Sequence, residues 1–282
     1  MALARADIAD GAARLPAEGY SLYLASHRRV LEHLEPAPFG VPVSALDLLA
    51  PHDAPWAIAD LMRVYNVLNA TAFGPKGIPL QNWVMIDLGL LPSAFVLVTL
   101  PPDRARAALQ DPGHDAAGRA RIESVLPAVL AEADRLGYTG PIPVAGYCAA
   151  PTPASGEWVG WSLCTAIPGL GTLTKGLALE VYRARGLTGV VQFWDGAGVR
   201  VHRRFGRMEI LAAVLDLHPV PNTFVYRTEL YAEDDAAPTI MLDCRDVVAQ
   251  QEIQSRIDSG ASRFFVLSPG LVDDRVPILE CT

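Results

Sequence analysis

Gly169-Leu170-Gly171-Thr172-Leu173-Thr174-Lys175 is the stretch whose residue types and spacing most directly suggest chemistry. Two glycines let the backbone approach a ligand. The apolar run after them predicts a helix whose first N–H groups lack partners within the helix. With Thr172 as N-cap, Lys175 takes the third helical position, where a Glu would complete a capping box and suit the dipole. A Lys there instead adds a point charge beside donors that already favour an anion. The pattern fits a phosphate or pyrophosphate site; a tight turn followed by a solvated lysine would read the same. It is not a Walker A loop, because Lys175 precedes Gly176. A dinucleotide fingerprint is met at Gly169 and Gly171, with Asp195 after the next strand as its acid, but its third position is Thr174 rather than Gly or Ala.

A second segment follows that strand: Asp195-Gly-Ala-Gly198-Val199-Arg200-Val201-His202-Arg203-Arg204-Phe205-Gly206. Together with Ala166-Ile167-Pro168-Gly169-Leu170-Gly171 it resembles the GNAT superfamily of acyltransferases. That family has a Q/R-x-x-G-x-G/A turn feeding a helix. It then has a strand and a short helix of pattern N-x-x-A-hydrophobic-x-hydrophobic-Y-x-x-hydrophobic-G-F. Both glycines of the turn match, while Ala166 replaces Gln or Arg. Asp195 stands at the Asn position, Gly198 at the Ala position and His202 where Tyr is common. Val199, Val201, Phe205 and Gly206 match, and Arg207 replaces the final Phe. The resemblance covers residues 143–230.

The resemblance implies an α+β or α/β fold with a GNAT-like mixed central sheet flanked by helices. It implies an enzyme that moves an acyl group from acyl-CoA, or from carrier-bound phosphopantetheine, to a small amine or hydroxyl acceptor. Leu163, Cys164 and Thr165 on the preceding strand would hold the pantetheine arm. Gly169, Leu170, Gly171, Thr172, Leu173, Thr174, Lys175 and Asp195 would hold the rest of the co-substrate. His202 would protonate the departing thiolate, and Glu157 and Tyr147 are candidates for the base. Within the same resemblance, decarboxylation of a thioester and non-catalytic binding of an acyl carrier stay open. An NAD(P)-dependent oxidoreductase with a divergent GxGxxG turn is the remaining alternative.

Each residue also has a plainer reading. His202 with Arg200, Arg203, Arg204 and Arg207 fits a solvated basic face. Glu157 fits a polar turn, and Tyr147, Cys148 and Cys164 fit a core. His27, His33, His52, His114 and His218 show no metal-ligand spacing, so no metal is expected.

Composition narrows the partners. The chain has 282 residues, is 51% hydrophobic and carries a net charge of −8. Residues 229–282 contain eleven acids and four arginines, a local −7, whereas residues 183–207 contain six arginines and one Asp, a local +5. The overall acidity argues against a nucleic-acid partner, and the local basic stretch favours a small polyanion such as CoA beside the glycine turn. Possible protein partners are an acyl carrier and a second copy in a homodimer. Four cysteines without CxxC spacing, no signal-peptide pattern and no 18-residue apolar run lead to an expectation of a cytoplasmic protein without a membrane span.

The elements that must position these residues follow from periodicity and punctuation. Residues 1–80 are expected to be helical. Ser21 caps a helix through Leu34, Ser44 starts another, and Asp53 and Pro55 open a third that closes at Gly74. Strands are expected at 83–90 and 94–100, then a helical insertion at 102–138 with a kink or restart at Pro127. The core of 81–230 continues as two strands around a PASGE turn, the glycine-turn helix closed by Gly186, a strand, the basic helix and two further strands. Residues 231–282 form an acidic extension with one helix and one strand, packed on the core.

Overall fold

The computed structural model describes residues 5–50, 54–74, 81, 84, 87, 91–110, 113–192, 196–213, 223–232, 236–243, 245–268 and 270–282. Helix α1 (Arg5–Arg14) places Asp7 in its first turn and Arg14 in its last, charges that suit the helix dipole, and buries Ile8 and Ala12. Strand β1 (Ser21–Ser26) follows, then a single helical turn α2 (Arg28–Leu31), strand β2 (Ser44–Asp47) and helix α3 (Ile58–Phe73). Strand β3 (Ala94–Leu100) is buried throughout. Helices α4 (Pro102–Ala108) and α5 (Ala116–Leu136) lead to β4 (Ile142–Pro151) and β5 (Glu157–Thr165). Helix α6 (Leu170–Val181) connects to β6 (Gly186–Gln192), and α7 (Gly196–Arg203) to β7 (Gly206–Ala212). Strands β8 (Thr223–Leu230) and β9 (Ile240–Asp243), helix α8 (Val247–Asp258), and strands β10 (Arg263–Val266) and β11 (Arg275–Cys281) complete the order.

The chain divides into two units. One comprises Ile8–Pro151 with Trp161–Arg183; the other comprises Met1–Asp7, Thr152–Gly160 and Ala184–Thr282. Strand β5 contributes its first half to the second unit and its remainder to the first.

In the first unit the strand order is β2-β1-β3-β4-β5. Strand β1 runs parallel to β2 and antiparallel to β3, and β3 is antiparallel to β4. Alternation along β4 sends successive side chains to opposite faces. Gly146 lies against the Tyr65 ring of α3, where an added Cβ would come within 2.3 Å of it. Tyr147 points the other way, its ring 6.5 Å from that of Tyr182 at the end of α6. Helices therefore cover both faces of this sheet.

In the second unit the order is β5-β6-β8-β7-β10-β11-β9. Only β5 and β6 are parallel, paired from Glu157↔Gly186 to Val159↔Thr188, and the other pairings described are antiparallel. Met208, Ile210, Phe224, Tyr226, Phe264, Val266, Val276 and Ile278 form its core with Val199 of α7 and Ile253 of α8. The acidic tail thus supplies strands to the sheet and side chains to this core. Mixed sheets flanked by helices make the protein an α+β fold.

Several sequence expectations are corrected. Ser21–Ser26 is a strand, not the start of a helix, because it sits between β2 and β3 and fills ladder positions on both sides. Ser44–Asp47 is likewise a strand, held by β1. Sheet pairing outweighs local helix propensity at both places. Pro127 lies within one continuous 21-residue helix, so there is no restart. Helix α6 ends before Arg183, and Gly186 begins β6 rather than stopping a helix. Where the expected strand at 83–90 is described, at residues 84 and 87, the chain is helical, and its other residues, with Asp53, His52, Lys76, Asp195, His218 and Cys244, lie outside the described residues.

Candidate functional site

The first unit builds one set of groups around the turn from β5 into α6. Past Val159 the described pairing of β5 with β6 ends. From Trp161 onward β5 is the outer strand of its own unit's sheet. An outer strand carries backbone donors and acceptors for an extended ligand. Trp161 is half exposed, and Leu163 and Thr165 on its face are partly buried.

The turn itself is tightly tied. The Ala166 N–H donates to the Val144 carbonyl of β4 at 2.7 Å. The Thr165 hydroxyl donates to the Ile167 carbonyl at 2.7 Å and accepts from the Ile167 N–H at 3.2 Å. Arg121, on α5, donates from Nε and Nη2 to the Thr165 carbonyl at 3.0 and 2.7 Å. Gly169 then takes φ 84° and becomes the N-cap of α6, with no side-chain cap bond. A left-handed φ at that point favours glycine, and no acid occupies the first turn of α6. Gly171 and Thr172 are thus first-turn residues whose N–H groups have no partner within the helix.

This start lies three residues before the expected N-cap at Thr172, which moves Lys175 to the sixth helical position. Lys175 is 0% exposed, and burial holds its amine well below the ordinary lysine range. The expected point charge at the helix mouth is corrected to a side chain enclosed by the protein. Thr174 is also buried, its hydroxyl donating back to the Leu170 carbonyl at 2.7 Å. Leu170 and Gly171 are buried, and Thr172 and Leu173 partly so.

The opposite face of β5 meets α3. The Asn69 amide donates to the Ser162 hydroxyl at 2.5 Å, and the Cys164 thiol lies 3.7 Å from the Tyr65 hydroxyl. Burial pushes the Cys164 thiol up to about 11 and raises Cys148 further. Both thiols therefore stay protonated at neutral pH, which suits core residues rather than nucleophiles. Tyr147 is 1% exposed, burial raises its phenol, and its hydroxyl has no partner among the described residues.

The second unit holds the other two candidates. Glu157 accepts from Arg227 Nη2 at 2.5 Å and from Nε at 3.3 Å, so both carboxylate oxygens are engaged. His202, on α7, places Nδ1 2.7 Å from the Tyr226 hydroxyl. The basic segment around it is not uniform. Arg203 is buried and donates to the Gly206 carbonyl, and Arg207 pairs with Glu229 and lies over the Phe265 ring. Arg200 and Arg204 are exposed. The structure thus gathers Leu163, Cys164, Thr165 and residues 169–174 about one turn in the first unit. Glu157 and His202 belong to the second unit, each with its own partner. Arg121, Asn69 and Tyr226 were missed by sequence reasoning, because nothing distinguishes them from other polar residues of their elements.

No family model matches the chain, and no curated protein matches it. Among solved structures, a protein from Desulfovibrio desulfuricans described as a "putative acetyltransferase of the GNAT family" is similar, with a TM-score of 0.36 and 14% identity. The match covers 61% of this chain and 92% of that one. A likeness of that size fixes neither fold nor activity. The dinucleotide alternative needs a run of parallel strands, whereas among the described pairings β6 joins β5 in parallel and β8 antiparallel. Among the described residues no helix is long and apolar enough to cross a membrane, and no group of three or more His, Cys, Asp or Glu is arranged to hold a metal.

Proposed function

We propose that this protein is an acyltransferase that takes its acyl group from a CoA or carrier-bound phosphopantetheine thioester and passes it to a small amine or hydroxyl acceptor. The observation that carries the proposal is the passage from an outer strand, Trp161–Thr165, through a positive-φ glycine into a helix with no acid in its first turn. An extended amide-rich arm matches the strand, and a pyrophosphate matches the helix start. The motif resemblance assigns the donor role in the reaction to His202. For the base the resemblance leaves two weaker candidates, Glu157, with both oxygens on Arg227, and the buried Tyr147.

A thermal-shift panel of CoA thioesters, carrier-bound pantetheine, NADH and ATP tests the proposal, since a ligand of the native state must raise the melting temperature. Stabilisation by CoA or pantetheine is expected. A response to NADH alone would sink it.

A further inference from the structure

We infer that Tyr226 is the positioning residue of His202, and that it fixes the ring so that Nε2 carries an N–H. This deepens the acyltransferase reading and rests on it for the role of His202, but the geometry belongs to the second unit alone.

Tyr226 lies on β8 and is 1% exposed, with its hydroxyl 2.7 Å from His202 Nδ1 and the two ring centroids 5.0 Å apart. The hydroxyl has room because its neighbour across the ladder is Gly189. A Cβ at that position would come within 2.7 Å of the Tyr226 oxygen. The helix that carries His202 is anchored on both sides of it. Val199 and Phe205 are fully buried, and the buried Arg203 holds the Gly206 carbonyl. The imidazole is therefore fixed both by its backbone and by a rigid aromatic partner.

The consequence is chemical. A phenol is a strong donor, and the neutral ring offers Nδ1 as acceptor, which leaves the ring proton on Nε2. When the ring is protonated, Nδ1–H donates to the phenol oxygen instead, and Nε2 again bears a proton. In both states the His202 ring carries an N–H at Nε2, the proton donor that a departing thiolate requires.

The experiment is heteronuclear NMR of the His202 ring in the free protein at alkaline pH, in wild type, Tyr226→Phe and Gly189→Ala. The expected result is an Nε2–H ring in wild type and a mixture with the Nδ1–H form in both variants, with chemical shifts elsewhere showing an intact fold. An Nδ1–H ring in wild type, or the same tautomer in all three proteins, would overturn the inference. Turnover of the thioester that stabilises the protein supplies a second readout. Tyr226→Phe should lower kcat about tenfold, ~1.4 kcal/mol, with the thioester KM unchanged; equal turnover would also overturn the inference. If no thioester stabilises the protein, the transferase reading falls, while the ring measurement still decides the role of Tyr226.

Discussion

The Asn69 side chain donates to the Ser162 hydroxyl 2.5 Å away, joining α3 to the outer strand that leads into the glycine turn. Both groups are buried, Asn69 at 0% and Ser162 at 4% exposure. Asn69→Ala leaves a buried hydroxyl short of its donor and opens space beside β5. A loss of about 1–3 kcal/mol is expected, read as a lower urea midpoint with an unchanged m-value. An unaltered midpoint would show that the contact contributes nothing to stability.

Arg121 is the side chain that clamps the Thr165 carbonyl, and it comes from a helix that no motif singles out. Arg121→Ala should release that carbonyl and blur the geometry of the turn. CoA affinity is expected to fall about tenfold, ~1.4 kcal/mol, by titration calorimetry. Arg121→Lys keeps the charge but loses the planar fork, so it should lie between wild type and alanine. A lysine variant indistinguishable from wild type would mean that charge, not geometry, is what Arg121 supplies.

Gly169 isolates the backbone term. A Cβ there meets nothing within 4 Å, so substitution introduces no clash, while φ stays at 84°. Gly169→Ala should therefore destabilise by about 1–2 kcal/mol through conformation alone. It should also weaken CoA binding, because the helix start relaxes toward an ordinary φ. Full stability and affinity in the alanine variant would remove the left-handed turn from the site.

Lys175 yields a pH dependence. Its folded pKa lies below the unfolded value because of burial. Between those two values the unfolded chain binds the proton and the folded chain does not. Stability from this group therefore rises with pH through that window and is lowest below the folded pKa. Lys175→Met should flatten the rise of melting temperature with pH and raise it at neutral pH, by about 2–4 °C for each kcal/mol recovered. The same burial means that Lys175→Glu reports on folding before it reports on any ligand. An unchanged slope in Lys175→Met would show that the lysine is solvated.

The sequence by itself determined the elements whose signals are local. Helix α3 closes at Gly74, and Gly137, with φ 63°, stops α5. The strands from β3 to β8 and the order strand, glycine turn, helix, strand were also legible, because periodicity and turn chemistry act over a few residues. Only the tertiary structure decided what depends on distant partners. Ser21–Ser26 became a strand because β2 and β3 flank it, and Lys175 went inside because α6 packs against β3 and β4. Arg121 meets Thr165 across 44 residues, and Tyr226 meets His202 across 24. Such pairs leave no spacing to read in one chain, since sheet register and helix packing, not sequence separation, bring them together.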